Sequence, residues 1–199
     1  MDDFDLMLLG SPDKKEEAPY CTATAYLYRF HIKGPIGSPE GYIAWIDSIV
    51  GATHNDTIEI HLNTPGGDVT TAQEIMFALK RSPAHVHMII SGQCASAGTL
   101  IMTAGDSYMI DEHCSFMFHN YSGGTYGKGN EMHKQLEFEH KWSGNLMSKA
   151  YKDILTPAEI KKMLNGQDFW FTAQDIEKRL QGRQVKCMQE VQVDDTEAV

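Results

Sequence analysis

Hydrophobic and polar residues alternate along several short stretches of the chain. Residues 57–62, TIEIHL, alternate throughout, and residues 22–32 are rich in Thr, Tyr and other side chains that favour strands. Residues 84–90, AHVHMII, predict a third strand, and shorter strands are expected around 108–110 and 115–118. These stretches provide five strands of the length found in globular domains.

Apolar residues recur at helical spacing between these strands. Ser38 and Pro39 predict a helix start, as N-cap and first helical residue. The residues expected on the apolar face of this helix are Ile43, Ile46, Ile49 and Val50. Further helices are predicted over residues 69–80, 97–104 and 131–154, the last with an apolar face that continues to its end.

Two capping boxes predict the remaining helices. Thr156 and Glu159 have the spacing in which an N-cap hydroxyl and a carboxylate satisfy each other's backbone N–H groups, and Gly166 ends that helix. Thr172 and Asp175 open a final helix in the same way.

Strands that alternate with helices indicate stacked βαβ units, and therefore an α/β fold with a largely parallel sheet. Such sheets place their chemistry at the carboxyl ends of the strands. Two Gly-rich turns lie at that end, NTPGG at residues 63–67 and GQCASAG at residues 92–98.

The length of 199 residues predicts one domain, which we assign to residues 21–182. Residues 1–20 are polar and acidic and are expected to form a flexible arm. Residues 183–199 are expected to be a polar tail.

The formal net charge of −10 argues against nucleic acid as a partner, because a phosphate-binding face needs clustered Lys and Arg. No apolar run approaches the roughly 18 residues that span a bilayer, so no membrane association is expected. The first ten residues are acidic where a secretory signal would be basic. A cytoplasmic location is therefore predicted.

The cysteines and histidines predict neither a metal nor a cofactor. Cys21, Cys94, Cys114 and Cys187 form no CxxC pair and are expected to be free thiols. His85 and His87 would share one face of a strand, but no Cys or carboxylate nearby completes a ligand set.

Ser96 is the candidate nucleophile. It lies in GQCASAG, between a predicted strand and a predicted helix, where small neighbours allow a tight turn and backbone N–H groups point towards the substrate. On this short string alone, a closely packed helix start is the better explanation.

His119 is the candidate general base, because a serine hydroxyl needs a base within hydrogen-bond reach and imidazole titrates near neutral pH. It follows the strand CSFMF, and a structural role for a histidine at a strand end stays open. A carboxylate is then needed to hold the imidazole tautomer. Asp168 is preferred because it lies between Gly166 and a short aromatic strand, whereas its rivals look like turn or capping residues: Asp106, Asp111 and Asp175.

The NTPGG turn is a candidate oxyanion site. Two adjacent glycines allow an unusual backbone path with free N–H groups, which acyl transfer requires to hold the developing oxyanion. Taken alone, this string is better explained as a plain turn capped by Asp68.

Taken together, four segments resemble the proteolytic subunit of the Clp protease, the ClpP family. They are HLNTPGGDVTTAQEI, ISGQCASAGTLIMTAGD, FMFHNYSGG and QDFWFTAQD, in the family's order and within residues 58–182. Departures at Cys94 and Ala97 from the commonest family residues favour a divergent, phage-like member.

The resemblance implies a crotonase-like α/β fold with a protruding handle helix around residues 131–154. It implies a Ser96, His119 and Asp168 triad, with oxyanion donors at the backbone N–H groups of Gly67 and Ala97. It also implies a serine endopeptidase that acts on polypeptides inside heptameric rings stacked as a tetradecamer, fed by a separate ATP-dependent unfoldase.

Three other functions fit the same pattern. A maturation protease for assembly proteins would use the same site. A catalytically silent ring subunit or scaffold would keep the fold without the chemistry. A crotonase-fold acyl-CoA enzyme would hold a thioester enolate in the oxyanion site, but would need acidic acid–base groups in place of a Ser–His pair.

Overall fold

A computed structural model describes residues 25–181 of the chain. The predicted arm at residues 1–20, the predicted tail at 183–199, Cys21 and Cys187 lie outside the described residues.

The described residues form six strands and six α-helices. The strands are β1 Leu27–Lys33, β2 Thr57–Thr64, β3 His85–Ala95, β4 Ser107–Ile110, β5 Ser115–Phe118 and β6 Phe169–Thr172. The helices are α1 Ile43–Gly51, α2 Val69–Arg81, α3 Ala97–Met102, α4 Gly129–Tyr151, α5 Pro157–Leu164 and α6 over residues 173–181. Pro39–Tyr42 forms a short 3-10 helix that leads into α1.

All six strands belong to one sheet, with the order β1-β2-β3-β5-β6 and with β4 also paired to β3. The pairs β1–β2, β2–β3, β3–β4 and β3–β5 are parallel. Only β6 runs antiparallel to its neighbour β5 among the pairs in this sheet of residues 25–181. The prediction of an α/β fold with a largely parallel sheet is confirmed.

Alternation along β2 shows how the sheet forms its core. Ile58, Ile60 and Leu62 are buried beneath the helices, while Glu59 and His61 lie on the opposite face. Burying an aliphatic side chain of this size contributes roughly 1.5–3 kcal/mol. The two-residue period therefore fixes which face of the sheet packs against α2 and α3.

The predicted strand over 84–90 is too short. β3 continues to Ala95, because beyond a bulge its carboxyl half stays paired with β2 through Cys94 and Thr64 and also pairs with β5. Gly92 adopts a φ of 86° within this stretch, so the glycine that looked like a strand end bends a continuous strand.

The predicted apolar face of α1 is only partly buried. Ile49 is fully buried, but Ile43 is 61% exposed and Val50 is 65% exposed. Helical periodicity thus locates the helix, but only part of its apolar face is covered by the described residues.

The predicted apolar face of the long helix α4 is also only partly buried. Its 23 residues extend about 34 Å. Met147, Ala150 and Tyr151 at its carboxyl end are buried, whereas Leu136, on the same predicted face in its amino half, is 44% exposed. The apolar face predicted along the whole helix is thus covered by this chain only near the end of the helix.

Both predicted capping boxes form. The Thr156 hydroxyl accepts from the Glu159 N–H, and the Glu159 carboxylate accepts from the Thr156 N–H. Thr172 and Asp175 make the equivalent pair at the start of α6. None of the helices within residues 25–181 is long and apolar enough to cross a membrane.

Candidate active site

Ser96 occupies a sharp turn between β3 and α3. Its φ of 53° and ψ of −126° make it the one non-glycine residue with positive φ in the described part of the chain. Its N–H donates to the Met117 carbonyl at 2.8 Å, which ties the turn to β5. A strained residue held in this way presents its side chain outward from the end of the strand, as in nucleophile turns of α/β hydrolases.

His119 lies beside Ser96 because β5 runs parallel to the carboxyl end of β3. Ala95 is paired with Met117, so each strand leads directly to one of the two candidate residues. His119 Nε2 is 2.6 Å from Ser96 Oγ, and both side chains are half-buried. The sequence-predicted nucleophile and base are therefore in direct hydrogen-bond contact.

The NTPGG turn packs directly against Ser96. Gly66 has a φ of 101°, and a Cβ atom there would lie 2.6 Å from the Ser96 Cβ. Gly67 also has positive φ, and a Cβ atom there would overlap the backbone of Ile36. Glycine is thus required at both positions, by backbone conformation and by the lack of space.

Two backbone N–H groups near this turn have no acceptor among residues 25–181, those of Gly67 and Ala97. The Gly66 N–H, by contrast, donates to Thr64 Oγ1 at 3.1 Å. Gly67 follows Gly66, which packs against Ser96, and Ala97 follows Ser96 itself, so both free donors belong to backbone next to the serine.

Asp168 immediately precedes β6, which pairs antiparallel with β5. The final pair of this ladder is Phe118 with Phe169, so continuing the register by one step places His119 opposite Asp168. Asp168 is exposed, and the described residues show no hydrogen bond between it and His119. The fold therefore places Asp168 at the same end of the β5–β6 ladder as His119. The hydrogen bond between the two side chains that would complete a triad is not formed.

The three rival carboxylates lie in turns or cap a helix. Asp106 Oδ2 accepts from the Val86 N–H at 2.8 Å, and the Asp175 carboxylate caps α6 through Thr172. Asp111 is exposed in the turn between β4 and β5. Each rival thus corresponds to the turn or capping role expected for it from the sequence.

Three polar residues that the sequence analysis did not single out also support the site. Asn120, next to His119, donates from Nδ2 to the Leu164 carbonyl at the end of α5, at 3.0 Å. Thr99 Oγ1 donates to the Ser96 carbonyl at 2.6 Å and also lies 2.7 Å from the Tyr151 hydroxyl. The spacing of Thr99, three residues after the serine, was the one signal in the sequence for such a contact.

The cysteines near the site are unsuited to nucleophilic chemistry. Cys94 is fully buried two residues before Ser96, and burial raises the pKa of its thiol far above the ordinary range. Burial also raises the pKa of Cys114. A protonated, buried thiol is a poor nucleophile, so neither cysteine competes with Ser96 as the candidate nucleophile at this turn.

His85 and His87 do lie on one face of β3, as predicted. His85 Nε2 and His87 Nδ1 both contact Ser107 Oγ, at 2.8 Å and 2.7 Å. Within residues 25–181, no group of three or more His, Cys, Asp or Glu side chains is arranged to hold a metal ion.

A cavity of about 750 Å³ lies between α1, α2 and α4 and is not lined by Ser96 or His119.

Comparison with known proteins places this site in a family. The sequence profile of the Clp protease family matches residues 44–179. The chain belongs to the Clp protease family. The match includes the Ser96 turn, His119 and Asp168.

Individual relatives are proteolytic subunits of ATP-dependent Clp proteases. The chain is 28% identical to ATP-dependent Clp protease proteolytic subunit 3 of Rhizobium etli over 171 residues, which cover 82% of this chain and 88% of the relative. It is 29% identical to the ATP-dependent Clp protease proteolytic subunit of Streptococcus thermophilus over 123 residues, which cover 59% of this chain and 62% of the relative. The Streptococcus pyogenes subunit is 28% identical over 130 residues, with the same coverage.

Membership of the Clp protease family implies a peptidase, and the observed α/β sheet with its long α4 helix is consistent with the ClpP fold. The suspected family is confirmed.

Proposed function

We propose that this Clp protease family member is a serine endopeptidase with Ser96 as nucleophile, His119 as general base and Asp168 as the residue that orients His119. The single observation that carries the proposal is the 2.6 Å contact between Ser96 Oγ and His119 Nε2. This distance lies in the range of an activated serine, and the strained Ser96 backbone supports the same role.

The first half of the reaction follows from this contact. Ser96 Oγ attacks the carbonyl carbon of the peptide bond, and its proton passes to His119 Nε2. The carbonyl oxygen becomes an oxyanion that accepts hydrogen bonds from the Gly67 and Ala97 N–H groups. His119 then gives the same proton to the leaving amine as the C–N bond breaks, which leaves an acyl ester on Ser96.

The second half repeats these steps with water. Water gives a proton to His119 Nε2 and attacks the ester carbonyl carbon, and the oxyanion forms again between the same two donors. The C–O bond to Ser96 then breaks, Ser96 Oγ recovers the proton from His119, and the carboxylic product leaves. No cofactor or metal takes part in any of these steps.

In this mechanism Asp168 accepts a hydrogen bond from His119 Nδ1–H and so keeps Nε2 free to accept the serine proton. The register of β5 and β6, which sets the two residues opposite each other, supports this role. Because Asp168 is exposed and not bonded to His119, the link is proposed to close in the assembled enzyme or on substrate binding.

The proposed enzyme works inside a ring chamber. Large apolar side chains exposed on one chain mark surfaces that another protein covers. On α4, Leu136 is 44% exposed and Phe138 is 68% exposed, which supports contacts between the handle helices of two stacked rings. Ile43, Val50 and Phe77, exposed around α1 and α2, support contacts between neighbouring copies within a ring.

The chamber would admit only unfolded polypeptide, so a separate ATP-dependent unfoldase is proposed as the partner that delivers folded substrates. The names of the relatives, which are proteolytic subunits of ATP-dependent Clp proteases, support this. A maturation protease with a few assembly proteins as substrates remains the alternative within the same chemistry.

Hydrolysis of an internally quenched peptide tests the proposal. We expect wild-type protein to cleave between internal residues, Ser96→Ala to lose activity by at least about 10³-fold, and Ser91→Ala on β3 to stay within about twofold. Peptide cleavage by a folded Ser96→Ala variant at the wild-type rate would contradict the assignment. An inactive wild-type ring would favour the scaffold, and turnover of an acyl-CoA without peptide cleavage would favour the crotonase alternative.

A further inference from the structure

The backbone of Ser96 is held at both ends by named contacts. Its N–H donates to the Met117 carbonyl at 2.8 Å. Its carbonyl accepts two hydrogen bonds from one residue, from the Thr99 N–H at 2.9 Å and from Thr99 Oγ1 at 2.6 Å. A positive φ at a non-glycine residue costs about 1–3 kcal/mol and persists only where contacts of this kind enforce it.

The direction of the hydrogen bonds beyond Thr99 follows from its single hydroxyl proton. Because that proton goes to the Ser96 carbonyl, Thr99 Oγ1 can only accept from the Tyr151 hydroxyl, 2.7 Å away. Tyr151 is 1% exposed, and burial raises the pKa of its phenol well above the ordinary value. Tyr151 therefore remains a donor across the physiological pH range.

Fixing the Ser96 carbonyl also fixes the next N–H. The peptide group between Ser96 and Ala97 is planar and trans, so its C=O and N–H point in opposite directions. When Thr99 holds the carbonyl on one side, the Ala97 N–H must point to the other. That N–H is one of the two donors that have no acceptor among residues 25–181.

Tyr151 connects this arrangement to the histidine as well. Its ring packs edge-on against Phe118, with centroids 5.1 Å apart, and Phe118 is the residue before His119. Tyr151 is the last residue of α4, so the base of this helix contacts both the serine turn and the histidine strand.

We infer that Thr99, oriented by Tyr151, is a positioning residue that holds the Ser96–Ala97 peptide so that the Ala97 N–H faces the oxyanion. The inference rests on the proposed function, since it assigns a task within that mechanism. Thr99 does not touch substrate; it acts through the peptide group that does.

Two substitutions at position 99 separate this role from simple packing. Thr99→Val keeps the volume and removes the hydroxyl, whereas Thr99→Ser keeps the hydroxyl and removes a methyl group. We expect Thr99→Val to lower kcat by about 10- to 100-fold with KM within about twofold, and Thr99→Ser to stay within about threefold of wild type. A packing role alone would reverse this order, because the serine variant leaves a cavity and the valine variant does not.

The affinity for a peptide aldehyde gives a second readout. The aldehyde forms a tetrahedral adduct whose oxygen occupies the oxyanion position, while a non-reactive product peptide does not. We expect Thr99→Val to lower the affinity for the aldehyde in proportion to the loss in kcat/KM. The affinity for the product peptide should be unchanged. Tyr151→Phe, which removes only the hydroxyl that orients Thr99, is expected to lower kcat by about three- to tenfold.

The outcomes are distinguishable. Wild-type protein that neither reacts with a fluorophosphonate nor cleaves peptide overturns the proposed function, and the inference with it. Active wild type with an equally active Thr99→Val variant, or with Thr99→Val more active than Thr99→Ser, overturns the inference alone. Should Thr99→Val fail to fold, full kcat in the Tyr151→Phe variant overturns it.

Discussion

Phe118 of β5 and Phe169 of β6 form the last pair of an antiparallel ladder, and His119 and Asp168 are the next residues along the two strands. Residues that continue an antiparallel ladder in this way lie opposite each other at the same end of the two strands. His119 and Asp168 are therefore neighbours by register, although they lie 49 positions apart in the sequence.

This relationship predicts the effect of Asp168→Asn. The variant keeps the shape of the side chain but cannot hold the His119 tautomer that accepts the serine proton, so kcat should fall by about 10²- to 10⁴-fold with little change in melting temperature. Initial rates on an internally quenched peptide measure this. Asp111→Asn, at an exposed turn, is the control and should stay within about twofold. A large loss in Asp111→Asn with full activity in Asp168→Asn would move the role to the other carboxylate.

Gly66→Ala tests the close packing of the oxyanion turn against the nucleophile. A Cβ atom at Gly66 would lie 2.6 Å from the Ser96 Cβ, and the φ of 101° is unfavourable for alanine. We expect a loss of about 3 kcal/mol in unfolding free energy and at least about a tenfold loss of kcat in the protein that folds.

Gly124→Ala is the matched control for that substitution, because nothing lies within 4 Å of a Cβ atom there. Chemical denaturation of both variants provides the comparison, and the control should unfold within about 0.5 kcal/mol of wild type. Equal stability and activity in the two variants would mean that the turn does not approach Ser96 in solution.

Glu159 predicts a specific dependence of stability on pH. Its carboxylate accepts from Arg179 at 2.8 Å and 3.0 Å and from the Thr156 N–H, and these contacts lower its pKa from 4.5 to about 2. A carboxyl group whose pKa is lowered on folding stabilises the protein above its ordinary pKa. That contribution is lost as the pH falls from 4.5 towards 2.

The variant Glu159→Gln should therefore be about 2 kcal/mol less stable than wild type at pH 7, after allowance for partial exposure of the pair, and this difference should shrink to well under about 1 kcal/mol by pH 2. Denaturant unfolding at several pH values measures the difference from wild type. Glu131→Gln, which breaks an exposed pair with Lys128 at 3.6 Å, should cost less than about 0.5 kcal/mol. A difference between Glu159→Gln and wild type that stays constant down to pH 2 would contradict this explanation.

Phe138 tests the proposed stacking of rings through α4. It is 68% exposed on the described chain, and replacing it with glutamate would place a charge in the contact between handle helices. Sedimentation velocity should show Phe138→Glu as a particle of half the wild-type mass. Lys134→Gln, which makes the same change in net charge at an exposed position of α4, should leave the wild-type mass unchanged. A Phe138→Glu particle of full mass would place the ring contact elsewhere.

Much of the fold was predictable because the relevant signals are local. Period-two alternation located β2, capping residues located α5 and α6, and helical spacing located α2 with its buried face. Ser96 and His119 were identified because each lies where a predicted strand ends, and parallel strands bring such ends together.

Other features depend on contacts that no local pattern contains. The extension of β3 to Ala95 arises because a second strand, β5, pairs with its carboxyl half. Val50 and Leu136 belong to predicted apolar faces and yet are exposed, because periodicity cannot tell whether an apolar face is covered by the rest of the same chain. Tyr151 falls within the helix predicted over residues 131–154, and only the tertiary fold shows that its hydroxyl reaches Thr99 on α3.

Intact-mass measurement after incubation with a fluorophosphonate tests the central claim most directly. The account predicts a single adduct on wild-type protein, localised to Ser96 by peptide mapping, no adduct on Ser96→Ala, and labelling slowed by orders of magnitude in folded His119→Ala. An adduct that persists on Ser96→Ala, or labelling of His119→Ala at the wild-type rate, would contradict it.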